Sequence, residues 1–233
     1  MGRELPALDR FACVAIDLGV AGAFAARLSY TGEEGFEIYV SNDMAMAAYE
    51  ALLAVGTEHG LLHAGLFAIA SLRIEAGNRA FGHELTPAVT PVEAGLDRFA
   101  DMAKRSPFTG QRSLARQQAR GVSRRIVSLL FDEAEALPLN DEPVYYQGEV
   151  VGQVTSAAWS YRFGRSAALA LLSGPLEVLQ AAAVVDGFEV EIACERFAAR
   201  GSLQPIKQAF ATGAGQSQVP APLPTVQEQE NGS

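Results

Sequence analysis

RLSYTGEEGFEIYVS, residues 27–41, sets a Thr-Gly pair, two adjacent carboxylates and a second glycine directly before an alternating run. Gly32 and Gly35 mark a tight turn, because glycine reaches backbone conformations closed to other residues. In the run that follows, the two-residue period of a strand puts Phe36, Ile38 and Val40 on one face and Glu37 with Tyr39 on the other. Glu37 therefore stands outside the main core. One reading makes it a solvated strand carboxylate. The other makes it a ligand group, since two coplanar oxygens accept two parallel N–H bonds from a guanidinium or an amidine-like ring edge. Tyr30, just upstream of the turn, either packs on the strand or lends its ring or hydroxyl to the same pocket.

Working outward, residues 11–40 read as β, with strands on either side of a GVAGA break. From Ser41 or Asn42, either of them an N-cap residue, Met44, Ala45, Ala48, Leu52 and Leu53 recur at helical spacing until Gly56 and Gly60. A second helix is predicted over GLFAIASLRIEAG, residues 65–77, with Leu66, Ile69, Ala70 and Arg73 on one face and Gly77 as a left-handed cap. Arg73 on such a face either snorkels to water, the commoner outcome, or meets a buried acceptor. Pro87 and Pro91 make residues 81–102 irregular. Beyond them, Lys104 to Arg125 holds seven Lys or Arg residues and reads as a solvated connector. The pattern then turns to short strands, RRIVSLLF, EPVYYQGEVVGQVTSAAW, RSAALALLSG and DGFEVEIACERFAAR, divided by Asn-Asp, Gln-Gly and Ser-Gly turns. A small antiparallel β-barrel follows from this spacing. Phe188, Val190 and Ile192 alternate with Glu189 and Glu191, giving one dry and one wet face.

Composition narrows the function classes. The chain has 233 residues, 49% of them hydrophobic and 19% charged, an ordinary globular balance. No unbroken apolar run approaches the roughly eighteen residues of a membrane span, so a soluble, cytoplasmic protein is expected. A formal charge of −9 opposes nucleic-acid binding, which draws on clustered cations. Cys13 and Cys194 form no C-x-x-C pair and read as two buried thiols. His59 and His63 have a helical ligand spacing, but Gly60 interrupts the helix and no third ligand is evident, so no metal site is expected. His83 beside Glu84 is a general base only if a nucleophile is placed near it. GVAGAF lacks the third glycine of a dinucleotide fingerprint.

ARLSYTGEEGFEIYV, GLFAIASLRIEAGNRAFGHELTPAVTPVEAGL and FTGQRSL, in this order and spacing, resemble the folate-binding aminomethyltransferases. These are the glycine cleavage T protein and the related C-terminal parts of dimethylglycine and sarcosine dehydrogenases. PVYYQGEVVGQVTSAAWSYRFGRSAALALL is similar to that family's C-terminal barrel, and the likeness runs over about residues 10–205. It implies an α+β chain: the C-terminal half of a folate-binding aminomethyltransferase domain over residues 1–121 and a small antiparallel β-barrel domain over 122–210. Residues 211–233, rich in Pro, Gly and Gln with few large apolar groups, bury too little to offset ordering and are expected to form a disordered tail. The resemblance also implies a tetrahydrofolate site in which Glu37 grips the pterin edge, with Tyr30 and Arg73 beside it. Where T proteins carry an arginine four residues before the position of Arg73, this chain has Ile69, which brings it closer to the dehydrogenase-linked branch.

The activity implied is transfer of a one-carbon unit from an amine donor to tetrahydrofolate. No residue matches the aspartate that the family carries upstream to assist the transfer, so the catalytic group is unassigned. The expected partners are the folate itself and a polypeptide that supplies the missing N-terminal half or a flavin domain. The alternative is a non-catalytic folate-binding or scaffold module of the same descent.

Overall fold

The computed structural model describes residues 8–211. The tail expected over 211–233 therefore lies outside the described residues, apart from Ala211. The chain opens with three short antiparallel strands, β1 (Cys13–Asp17), β2 (Gly22–Ala26) and β3 (Glu37–Tyr39), in the order β1-β2-β3. Ala25 pairs with Ile38 and Ala26 with Glu37, which fixes the face on which the acid stands. Two helices follow, α1 (Ala45–Gly56) and α2 (Leu66–Glu75). Gly60 caps the first segment in the left-handed region, and Gly77 does the same after α2 at φ +68. There the Gly77 amide donates to the Ile74 carbonyl and the Asn78 amide to the Arg73 carbonyl, the paired bonds of a Schellman end.

Residues 81–110 hold no α-helix or named strand, only a 3-10 turn at Asp97–Phe99. Within them, Thr90 and Glu93 exchange bonds in the manner of a capping box, Thr90 N to Glu93 Oε2 at 2.8 Å and Glu93 N to Thr90 Oγ1 at 3.3 Å. The basic stretch is not an open connector. Its middle is a ten-residue helix, α3 (Gln111–Arg120), anchored by buried Leu114.

Six strands then close a barrel: β4 (Arg125–Phe131), β5 (Pro143–Tyr146), β6 (Glu149–Ser160), β7 (Arg165–Leu172), β8 (Val185–Ile192) and β9 (Glu195–Ser202). Their order around it is β4-β7-β6-β5-β8-β9, every pairing antiparallel. Two short helices, α4 (Leu176–Ala181) and α5 (Ile206–Ala209), follow β7 and β9. Val127, Leu129, Phe131, Val154, Phe188 and Val190 fill the interior. Ile126, Leu130, Ala167 and Leu169 point outward instead, where Ile74 of α2 and Ile206 of α5 cover them. That double coverage explains why RIVSLLF is apolar on both faces rather than alternating.

Two expectations change. Both cysteines are exposed rather than buried. Cys13 begins β1 on its wet face, and Cys194 forms a two-residue β8–β9 turn with Ala193, at φ +69 and +51. Only Ser71, Arg73, Ile74 and Glu75 of α2 are buried, while Leu66 is 82% and Phe67 94% exposed. The end of α2 meets the barrel through polar groups, so an apolar count alone misplaces its inner face.

Candidate ligand cleft

β3 ends the small sheet, and its short register with β2 leaves the Glu37 side chain on the open side. The turn before it is built around Gly32, at φ +76. A Cβ there would stand 2.5 Å from Ala76 Cβ and 2.6 Å from Lys207 Nζ, so the turn needs glycine for space as well as for its dihedral angle. The Asn78 side-chain amide donates to the Tyr30 carbonyl at 2.6 Å and binds the turn to the end of α2.

Glu37 and Tyr30 line one cleft of about 270 Å³, together with Asn78, Arg79, Leu85 and Leu96. Its walls are mixed: apolar side chains on one part, a carboxylate and polar groups on another. The Tyr39 hydroxyl donates to Glu37 Oε2, and that bond raises the phenol above its ordinary range. Each carboxylate oxygen has two lone pairs, so Glu37 still has room to accept a pair of N–H donors. The Tyr30 hydroxyl lies 3.5 Å from the Arg79 carbonyl oxygen, closing one side. Arg79 Nε donates to Ala94 O at 3.0 Å, and Nη1 donates to Gly77 O. Burial lowers the Arg79 guanidinium to about 10, against the pull of Glu84, so it remains a cation at neutral pH.

Arg73 does not join Glu37 and Tyr30. It is 5% exposed and neither snorkels nor lines the cleft; its Nη1 donates to Glu84 Oε2 at 2.9 Å. Glu84, 0% exposed, also accepts the Ala80 amide at 2.8 Å, the Thr155 hydroxyl at 2.8 Å and the Ser156 hydroxyl. Burial pushes the Glu84 carboxyl up, but Ala80, Ser156, Arg73 and Thr155 together outweigh it and hold the group below its ordinary value. His83, next in the chain, points away to Asn140 and makes no acid–base pair with Glu84. Nothing in the sequence marks Asn78 and Arg79, because they reach Tyr30 across 48 and 49 residues and no periodicity announces such a contact. A larger cleft of about 460 Å³ beside α3 is lined by Phe108, Ser113, Arg116 and Arg120 but contains no carboxylate to accept a paired N–H edge.

The fold and cleft define an α+β protein in which a short sheet presents one acid beside a closed six-stranded barrel. A family model described as "GCVT N-terminal domain" matches residues 4–104, and one described as "Glycine cleavage T-protein C-terminal barrel domain" matches residues 124–206. The chain belongs to the glycine cleavage T-protein family. A dimethylglycine dehydrogenase of Rattus norvegicus, described as mitochondrial, is 36% identical over 182 residues, 78% of this chain and 21% of that protein. An aminomethyltransferase of Moorella thermoacetica is 40% identical over 167 residues, 72% of this chain and 43% of that one. The crystal structure of glycine cleavage system aminomethyltransferase T from Bartonella henselae superimposes with a TM-score of 0.67 at 26% identity, covering 79% of this chain and 49% of that one. The chain thus spans less than half the length of each of these relatives.

Proposed function

We propose that this protein takes part in tetrahydrofolate-dependent one-carbon transfer from an amine donor, with the cleft at Glu37 holding the reduced pteridine ring. One observation carries this reading: Glu37 and Tyr30, seven residues apart across a glycine turn, line one partly apolar concavity. The cleft is smaller than the roughly 300–1,000 Å³ of pockets for drug-sized ligands, so it suits a ring system with the rest of the folate extending outside. Glu37 would accept from the paired nitrogens of the ring edge, while Leu85 and Leu96 would cover its apolar surface. Folate supplies the nitrogen that receives the one-carbon unit. The chain's own residues bind and orient that acceptor, and in such transfers orientation supplies much of the rate.

A second reading, a non-catalytic folate-binding or scaffold module, is favoured by the cleft itself. Among the described residues Glu37 is its single lining carboxylate, and it already accepts from Tyr39. Turnover then needs a proton-handling group from outside this cleft, which a partner polypeptide or a flavin domain would supply. The exposed apolar residues of α1 and the start of α2 supply a face for such a partner.

Glu37→Gln tests the binding role, because it replaces a paired charged acceptor with one acceptor and one opposing donor. Calorimetry should show tetrahydrofolate affinity weakened by about 1 to 3 kcal/mol in a folded variant. Unchanged affinity refutes the role of Glu37. Folate-dependent formaldehyde capture, regained on adding the partner polypeptide, separates the transferase from the binding module.

A further inference from the structure

The turn between Tyr30 and Glu37 is held from outside by residues that follow it by more than a hundred positions. Arg162 lies in the turn between β6 and β7, and its guanidinium spans two acids: Nε to Glu75 Oε2 at 3.3 Å and Nη2 to Glu33 Oε1 at 3.3 Å. The two ends differ in kind. Glu75 is buried on α2 and also accepts the Ser160 hydroxyl at 2.5 Å, so the Arg162 head is fixed from that side. Glu33 is half-exposed in the glycine turn itself. On the other flank, Lys207 of α5 donates to the Gly32 carbonyl, with its ammonium filling the space that a Cβ at Gly32 would need. Glu34 contributes nothing to this grip; it pairs locally with Arg27 at 2.9 Å.

We infer that Arg162 and Lys207 are positioning residues for the Glu37 cleft, through which the barrel and its terminal helix set the pitch of the turn joining Tyr30 to β3. The inference rests on the folate reading above and assigns new residues to that site. An ion pair as open as Arg162–Glu33 adds little to global stability. Its effect falls on binding, because a turn already fixed in its bound shape loses less freedom when a ligand arrives. This also separates the two adjacent carboxylates of residues 33 and 34 from Glu37, since neither of them lines the Glu37 cleft.

The test uses the whole chain as Glu33→Gln, Arg162→Gln and the double variant, with tetrahydrofolate as the probe. Dissociation constants should rise about three- to tenfold in each single variant. The double variant should be no weaker than Arg162→Gln, because both changes break one link. Glu33→Gln should leave the thermal midpoint in place while amide exchange over residues 30–39 quickens, a result that general destabilisation does not give. Arg162→Gln should also lower the midpoint, through the loss at Glu75. Unchanged affinity in Glu33→Gln, or losses that simply add, overturns the inference while leaving the folate reading intact. If the wild-type chain binds no tetrahydrofolate, the folate reading fails, and exchange over residues 30–39 decides the positioning claim: unchanged exchange in Glu33→Gln overturns it.

Discussion

Glu84 shows how much a single buried acid can organise. Its carboxylate accepts from Arg73 of α2, from the Ala80 amide and from Thr155 and Ser156 of β6, so it joins the first part of the chain to the barrel. Glu84→Gln would leave the Arg73 cation buried without a counter-charge and should lower unfolding free energy by about 3 to 5 kcal/mol, read from urea titration. The same bonds set an acid limit. Glu84 and Glu93 are both held below the ordinary carboxyl value of 4.5. Their contribution is complete above that pH and is lost as pH falls through the lower folded values. A stability profile should therefore be level in carboxyl titration near neutrality and decline below about 4.5 in the wild type, less steeply in Glu84→Gln. Among individual residues, the outward place of Glu37 was legible from strand alternation, although Phe36, expected on the dry face, is 48% exposed. Arg73 was half legible: its awkward place on an apolar face was visible, but the partner that resolves it lies in an irregular stretch with no pattern to read.

Elements were readable where one face is wet. Phe188 and Val190 are buried between exposed or half-exposed neighbours, and the Gln147–Gly148 turn, at φ +53 and +85, sits where the dipeptide marks it. The β8–β9 turn was hidden, because Ala193 and Cys194 adopt left-handed conformations that neither residue type advertises. Helix α3 was hidden by its charge: six residues of Gln and Arg on a ten-residue helix with one buried side chain look like a solvated coil. Gly152 belongs to this scale too. A Cβ there would overlap the Leu171 carbonyl oxygen and lie 2.9 Å from Leu172 Cα, both backbone atoms of the paired strand. Gly152→Ala should thus destabilise the barrel by about 1 to 3 kcal/mol, seen as a lower thermal midpoint, since the obstruction cannot rotate away.

At the scale of the molecule, burial is uneven. The barrel is closed and filled, whereas α1 buries only Ala48 and Gly56 and leaves Met46, Tyr49, Leu52 and Val55 exposed. Leu62 is 87% exposed too, and Leu66 and Phe67 at the start of α2 are open to solvent. Exposed large apolar side chains in this number favour association. Sedimentation of the chain alone should show concentration-dependent self-association, and replacing Leu62, Leu66 and Phe67 with Ser should abolish it without lowering the barrel's thermal midpoint. Sequence reading anticipated the barrel and the strand that bears Glu37, because both follow from local periodicity. It could not anticipate how the barrel grips the cleft, because that depends on where a closed sheet returns the chain.

The bond from Lys207 to Gly32 joins groups 175 residues apart, and Arg162 reaches Glu33 over 129. During synthesis the glycine turn leaves the ribosome long before either of its clasps has been made, and closing so long a loop is slow compared with local folding. A nascent chain carrying the opening sheet and both early helices would still hold Glu37 on a slack hinge. On the folate reading, competence for the ligand would then arrive late, only as β9 and α5 emerge.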